Sequence, residues 1–250
     1  MASTAFGSSL TESHREEQAR LALQVMQESL KLWGLLPVDD MDVRRPDWQA
    51  AMGPLLGDGR SQSQQIANGY YRSFSQAETG LFRDIPPVGV RFDRDRLLTT
   101  LDITGPARFK SLVGRGFDPG RAWQTAGVAV AGASARLTLE AGRQEIDEQV
   151  RRDPETRGWQ RIASGDACAF CMMLVSRGPV YKEQTAQFQS HDACQCTAEP
   201  IFRPEGEWTD QARQAKEQWD DAQRLAREAG ELQRGTSNDA LNAFRRYLAG

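Results

Sequence analysis

Five side chains that commonly bind soft metal ions are concentrated in one short stretch of the 250-residue sequence. They are the four cysteines of the chain and one of its two histidines, in the order Cys168, Cys171, His191, Cys194, Cys196. Two residues between Cys168 and Cys171 form a tight turn that aims two thiolates at one point, and a second cluster at loop distance completes a tetrahedron. The spacing therefore predicts a structural Zn²⁺ site made by four of these five residues.

The sequence leaves open which four residues bind the metal. Cys194 and Cys196 are two positions apart, so in an extended strand both side chains point to the same face and both reach the metal. In that arrangement His191 is spare. In the alternative arrangement His191 binds the metal and one of the two thiols does not. We expect Asp192 to orient His191 through a hydrogen bond to its second ring nitrogen.

Two other chemistries are open to the cysteines. Residues 1–10 lack the basic start, apolar middle and cleavage site of a signal peptide, so we expect synthesis in a reducing cytosol, where clustered thiols favour metal binding. Two disulfides, formed after release into an oxidising medium, are the main alternative. A redox Cys-x-x-Cys is disfavoured because no βαβ pattern surrounds Cys168 and Cys171.

The charge balance excludes a nucleic-acid binder that works by bulk positive charge. Lys and Arg number 31 against 34 Asp and Glu, a formal net charge of −3. The stretch 91–121 is nonetheless net positive, and a solvated mixed-charge face is the favoured interpretation of it. If DNA is contacted, we expect the contacts to come from Arg91, Arg94, Arg96, Arg108, Lys110, Arg115, Arg121, Arg157 and Arg161.

Hydrophobic periodicity predicts a mainly helical chain. Ser9 or Thr11 is expected to cap the first helix, and the prolines and glycines of residues 37–60 predict an irregular segment. A second break is expected at residues 85–89. The most apolar run, residues 126–135, is rich in Gly and Ala and too short for the ~20 residues of a membrane span, so no membrane partner is expected. The predicted helices cover residues 8–34, 61–77, 94–103, 106–114 and 119–152.

The last of these helices is expected to change character along its length. Asp118-Pro119 is a strong start signal, because the Asp side chain caps and Pro has no amide to leave unpaired. The small residues of 126–135 let neighbouring helices approach closely. The charged residues near the end, from Arg143 to Arg152, predict a helix that runs out toward solvent or a partner.

The remainder of the chain is expected to form a small module and an arm. Val180-Tyr181 is predicted to form a short strand that pairs with residues 196–202 in a hairpin. Thr209 is expected to cap a helix that ends at Gly235, and a final short helix starts at Ser237 or Asn238. The alanine-rich arm either forms a coiled coil, docks on a partner or packs on its own body. The predicted fold class is mainly α, with a helical body (1–157), a zinc-knuckle-like Cys/His module containing short strands (158–204) and a helical C-terminal arm (205–250).

The module resembles a known family. Gly158-Trp159, the Cys168–Cys171 pair, Ser176-Arg177-Gly178, the His191–Cys196 cluster and Pro200 are similar to the MuF-like minor head proteins of tailed phages, above all to the branch found in phages of actinobacteria. The resemblance covers about residues 158–202, and the long helices before it fit the general plan of the family.

The resemblance implies a role in the virion. Proteins of this kind are structural minor capsid proteins, present in few copies near the portal vertex and the capsid interior, and made in the host cytoplasm. The implied partners are the portal protein, the major capsid protein and packaged DNA. The implied function is to aid head assembly and DNA packaging or exit, with no small-molecule substrate.

Proteins of this branch are often labelled capsid maturation protease, and the residues argue against that activity. A serine protease needs a histidine base beside its nucleophile. His14 is expected on a solvated helix face, and His191 is committed to the cysteine cluster. No Asp-Thr-Gly triplet or phosphate-binding glycine loop is present. We therefore expect no enzymatic activity. A maturation protease is the alternative, and a zinc-stabilised DNA-binding module is the second alternative.

Overall fold

The computed structural model describes residues 4–83, 85–89, 93–164, 167–179, 188, 190–192, 194–202, 208–232 and 237–250. Across these residues the protein is mainly helical, with a two-stranded sheet and a Cys/His cluster, which confirms the predicted fold class. None of the described helices is long and apolar enough to cross a membrane. The partition into body, module and arm stays a prediction.

Three long helices form the body. These are α1 (Ala5–Gly34), α2 (Met41–Thr79) and α5 (Pro119–Arg152), and each packs against the other two. Two short helices, α3 (Arg94–Thr104) and α4 (Pro106–Gly114), pack against α5. The core between them is built from large apolar side chains, among them Trp33, Trp48, Met52, Leu56, Leu101, Phe109, Val130 and Leu137.

The start of α5 is confirmed and that of α1 is corrected. The Asp118 side chain accepts a hydrogen bond from the Arg121 amide at 2.9 Å, and Pro119 is the first helical residue, as predicted. The α1 helix begins earlier than expected, because the Thr4 hydroxyl caps it by accepting from the Gly7 amide at 2.9 Å. Ser9 and Thr11 therefore lie inside the helix.

The predicted irregular segment at residues 37–60 is wrong. Helix α2 runs through both Pro46 and Pro54, although a proline inside a helix costs about 3 kcal/mol. Both rings lie on the exposed side, while Trp48, Met52 and Leu56 recur every four residues and are buried in the core. We infer that burial of this stripe outweighs the cost of the two prolines.

Glycines allow the long helices to approach closely where α1, α2 and α5 meet. The Gly142 amide of α5 donates to Ser63 Oγ at 3.1 Å, and Ser63 Oγ donates to Gln18 Oε1 at 2.8 Å. A Cβ atom on Gly142 would lie 2.6 Å from Ser63 Oγ and 2.8 Å from Gln18 Nε2. Such distances leave no room for a methyl group, so the three-helix contact requires glycine at this position.

We expect Gly142→Ala to destabilise the protein by about 1–3 kcal/mol, because the new methyl group forces the helices apart. Gly69→Ala is the matched control, since Gly69 is exposed inside α2 with no atom within 4 Å of the added Cβ. That variant should instead gain about 0.5–1 kcal/mol from helix propensity. Urea unfolding of the two variants measures both changes, and a Gly142→Ala protein as stable as the wild type would contradict the packing described.

The sheet pairs residues on either side of the cysteine cluster. Strand β1 (Gly158–Ile162) and strand β2 (Thr197–Ile201) are antiparallel, with Gln160 opposite Glu199. β2 lies within the segment 196–202 that was predicted to form a strand, and its partner among the described residues is β1. The predicted partner strand, Val180-Tyr181, stays a prediction. Residues 180–181 lie outside the described part of the chain. The sheet shares a second core with the body, formed by Ala67, Tyr70, Tyr71, Phe74, Ile146, Val150, Trp159 and Ala198.

The C-terminal helices pack on the module. A short helix, α6 (Ala169–Val175), contacts both α7 (Asp210–Glu228) and α8 (Ser237–Leu248). Thr209 Oγ1 caps α7 by accepting from the Ala212 amide at 2.9 Å, as predicted. The helix stops before the expected Gly235, since Gly230 adopts a left-handed φ of 70°. Of the three roles considered for the arm, the structure shows packing on the same chain, against α6.

The charged second half of α5 is buried at Arg143 and Glu145, whereas Arg151 and Arg152 in its last turn are exposed. Glu145 is fully buried and accepts hydrogen bonds from Gln64, Asn68, the Val88 amide and Gln149 at 2.6–3.1 Å. The expectation of a solvent-facing second half is therefore wrong for Arg143 and Glu145, because the segment 85–89 and the β-sheet cover this part of the helix, and it holds for the last two residues.

Candidate metal centre

The structure brings all five predicted ligands together. Cys168, Cys171 and His191 form one group, and Cys171, Cys194 and Cys196 form another, with the donor atoms of each group within 4.8 Å of one another. Cys171 belongs to both groups and therefore lies at the middle of the centre.

Local structure explains how the donors converge. Cys168 is the residue before α6 and Cys171 lies in its first turn, so one helical turn carries both sulfurs to one side. Cys194 and Cys196 precede and adjoin β2, whose pairing with β1 holds them opposite α6. The Cys194 amide donates to the His191 carbonyl at 3.2 Å, which closes a turn between these two donors.

The donor spacing fits a tetrahedral metal ion. The Zn–S distance of about 2.3 Å and Zn–N distance of about 2.0 Å in tetrahedral sites imply S···S separations of about 3.8 Å and S···N separations of about 3.5 Å. Cys171 Sγ lies 3.6 Å from Cys194 Sγ, and His191 Nε2 lies 3.3 Å from Cys171 Sγ and 3.0 Å from Cys168 Sγ. All four cysteines are free thiols. The residues present can therefore hold a metal ion.

The His191 ring is oriented as a metal ligand requires. Its Nδ1 lies 2.7 Å from the backbone carbonyl oxygen of Asp192, so Nδ1 carries the proton and Nε2 presents its lone pair to the sulfurs. Asp192 thus orients His191 as predicted but through its main chain. The carboxylate instead forms an ion pair with Arg136 of α5 at 2.8 Å, which corrects the expected role of that side chain.

The thiols differ in their affinity for protons. The hydrogen bond to Cys194 raises the pKa of Cys171, and the same hydrogen bond lowers the pKa of Cys194 far below its usual range. For Cys196, the hydrogen bond to Cys171 lowers the pKa, but the one to Cys194 and burial raise it, to about 11. Metal binding requires the thiolate form of these side chains.

The two sides of the centre differ in exposure. Cys171, Cys194 and Cys196 are buried, whereas Cys168 is exposed. Cys168 and His191 line an open cavity of about 700 Å³ together with Arg96, Arg136 and Glu140. Ligand exchange and oxidation should therefore begin on the Cys168 side.

Arg143 is the important residue of the centre that the sequence interpretation missed. Its guanidinium is 5% exposed and donates to the carbonyl oxygens of Cys194 and Cys196. The sequence predicts a solvated position for Arg143, because the residues around it are highly charged. A signal in the sequence is the helical period, since Leu139, Arg143 and Ile146 occupy one buried face of α5.

The predicted basic contact residues have mixed placements. Arg94, Arg96, Arg108, Lys110, Arg115, Arg121 and Arg157 are exposed, and Arg91 lies outside the described residues. Arg96 forms an ion pair with Glu140 at 2.8 Å, and Lys110 forms one with Asp42. Arg161 is 2% exposed and its guanidinium lies 3.7 Å from the Phe188 ring centre. Its prediction as a DNA contact is wrong, because β1 turns the side chain into the protein.

His14 is buried, in contrast to the expected solvated position. It is 4% exposed and its ring stacks on that of Tyr70, with centroids 4.4 Å apart. Burial lowers its pKa to about 3, and the charge of Arg143 adds to the effect. Such an imidazole is a weak base near neutral pH, so the structure gives His14 no advantage as a catalytic base. The absence of enzymatic activity stays a prediction.

Comparison with known protein families covers most of the helical body and all five candidate ligands. The profile of the VG15 protein family matches residues 8–222. The chain belongs to the VG15 protein family. Members are encoded by phages: the Gene 15 protein of Mycobacterium phage D29 is 29% identical over 160 residues, which are 46% of this chain and 57% of the relative.

A second relative is also a phage Gene 15 protein, with similar identity and coverage. The Gene 15 protein of Mycobacterium phage L5 is 26% identical over 166 residues, 47% of this chain and 56% of the relative. The chain therefore spans a little over half the length of these curated relatives. No solved structure matches the VG15 chain.

Proposed function

We propose that this VG15 protein is a structural minor capsid protein of a tailed phage. It docks at the portal vertex on the inner face of the capsid and aids head assembly and DNA packaging or exit. The observation that carries the proposal is the convergence of the residues that resemble MuF-like proteins. Cys168, Cys171, His191, Cys194 and Cys196 lie in one centre, and membership of a phage protein family supports a role in the virion.

In this proposal the metal is Zn²⁺ and its role is structural. Four of the five donors would hold it, and a thiolate-rich, four-coordinate Zn²⁺ is typically closed to substrate. The chemistry it supplies is a cross-link between α6 and the segment that leads into β2. The segment that leads into β2, residues 190–196, has no large apolar side chain of its own, so a metal cross-link to α6 fixes what packing alone holds weakly.

The proposed docking is tested by co-purification with the portal protein of the phage that encodes the chain. We expect the tagged full-length chain to retain the portal protein at physiological salt, and a tail protein of the same phage, used as the control, to be washed away. Loss of the portal protein together with the control would contradict the proposal.

The same preparation separates the two alternatives. Incubation with unprocessed major capsid protein should give no cleavage, and specific cleavage that survives purification would show the maturation protease instead. Binding to DNA that falls steeply with salt, without retention of the portal protein, would favour the zinc-stabilised DNA-binding module.

A further inference from the structure

One arginine holds the main chain of two candidate metal ligands. Arg143 Nη2 donates to the Cys194 carbonyl at 2.6 Å, and Nε and Nη2 both donate to the Cys196 carbonyl at 3.2 Å. The planar guanidinium thus spans the Cys194–Cys196 segment and fixes the separation of its two carbonyls. A lysine cannot reproduce this fork, because its donors radiate from a single nitrogen.

The charge of Arg143 has no carboxylate partner among the described residues. The guanidinium is buried, its Nη1 has no hydrogen-bond partner among the described residues, and its Cζ lies 4.9 Å from the centre of the Phe188 ring. A buried cation without a countercharge is strongly destabilising. The nearest groups that can carry negative charge are the thiols of Cys171, Cys194 and Cys196, each of which interacts with it electrostatically.

A metal-bound centre supplies the missing countercharge. Three thiolates and a neutral histidine on a divalent ion carry a net charge of −1, and four thiolates carry −2. Arg161, a second buried guanidinium, lies on the same Phe188 ring as Arg143. A metal–thiolate centre beside the buried charge of Arg143 is electrostatically complementary to it.

We propose that Arg143 is a positioning residue of the metal centre, which sets its metal affinity by fixing the Cys194–Cys196 segment and balancing the charge of the thiolates. This inference rests on the metal binding in the proposed function. Because Arg143 belongs to α5, it also links the centre to the three-helix body, so binding of the metal should protect α5 as well as the module.

The test compares three variants of the full chain. Arg143→Met removes the charge and the hydrogen bonds, and Arg143→Lys keeps the charge but loses the fork. Arg136→Met is the control, since Arg136 also joins α5 to the metal-binding segment, through Asp192, without touching the ligands' carbonyls. Zn²⁺ affinity is measured by competition with a chromophoric chelator, and Co²⁺ absorption reports the thiolate ligands.

We expect Arg143→Met to lower Zn²⁺ affinity about 10- to 100-fold, the usual effect of removing a group that orients metal ligands. Arg143→Lys should lose less, and Arg136→Met less than about threefold. In hydrogen exchange, Zn²⁺ should slow exchange in α5 of the wild type and do so less in Arg143→Lys.

The outcomes separate this inference from the proposed function. Wild-type affinity in Arg143→Met, or an equal loss in Arg136→Met, would overturn the role of Arg143 while leaving the metal centre intact. A wild-type chain that binds neither Zn²⁺ nor Co²⁺ would overturn the metal centre itself. If Arg143→Met does not fold, the Arg143→Lys variant provides the test. Zn²⁺ affinity equal to that of the wild type, together with the same slowing of hydrogen exchange in α5, would then overturn the inference.

Discussion

Replacing Cys171 with serine is expected to abolish metal binding and to unfold the module around it. Cys171 is shared by both groups of donors, and its sulfur lies 3.3 Å from His191 Nε2 and 3.6 Å from Cys194 Sγ. The binding free energy of structural zinc, about 10–16 kcal/mol in zinc-finger peptides, is folding free energy. We expect Zn²⁺ affinity to fall by a factor on the order of a thousand or more, with a clear drop in Tm.

Cys168→Ser is the matched control for this experiment. Cys168 is exposed and belongs to one donor group, so four donors remain around Cys171 when it is replaced. We expect this variant to retain zinc and most of its thermal stability. Metal content and Tm, measured on both variants in reducing buffer, check the difference. Equal metal content in the two variants would show that Cys171 is not central to the site.

The second large effect is a loss of folding stability at acid pH, caused by the buried His14. Burial lowers the pKa of this imidazole to about 3, whereas an unfolded histidine titrates near 6.5. Between these two values the unfolded chain binds a proton that the folded chain does not bind. The contribution of His14 is therefore fully present above about pH 6.5 and is lost as the pH falls toward 3, at about 1.4 kcal/mol per pH unit.

The other charged and titratable groups near His14 must be separated from its own effect. Arg143 adds to the lowered pKa, Tyr70 stacks on the ring, and the nearby Glu199 has a pKa that burial raises. Because all groups other than His14 are common to the wild type and His14→Gln, the difference in their pH slopes isolates His14. We expect urea unfolding between pH 5 and 6.5 to give a shallower slope for the variant. Identical slopes would mean that His14 is accessible to protons in the folded protein.

Local signals predicted the parts of the fold that depend on short stretches of chain. Gly105-Pro106 separates α3 from α4, and Asp118-Pro119 starts α5, because capping and proline chemistry act within one turn. The Cys/His spacing likewise predicted one centre, since a Cys-x-x-Cys turn and a second cluster need only a loop between them.

Long-range packing decided the features that the sequence did not reveal. Pro46 lies in a continuous helix because the apolar stripe of α2 is buried by other helices. β2 pairs with β1, a strand 39 residues earlier in the register, and that partner was not predicted from the local sequence. Arg143 and His14 are buried because the β-sheet and the cysteine segment cover polar faces of α5 and α1, which helical periodicity alone assigns to solvent.

The placement of both histidines bears on whether the protein is a protease. One of the two histidines is a buried, stacked base with a pKa of about 3, and the other turns its Nε2 toward sulfur. Neither placement suits a general base beside a serine or cysteine nucleophile at neutral pH. This supports the proposal of a structural role for the VG15 protein over that of a maturation protease.

The metal content of the full-length chain, purified under reducing conditions, is the most direct measurement of the metal centre. We expect elemental analysis to give one zinc per chain, with the cysteines that bind it protected from alkylation until a chelator is added. A chain that contains no metal and has two intact disulfides among Cys168, Cys171, Cys194 and Cys196 would contradict the account.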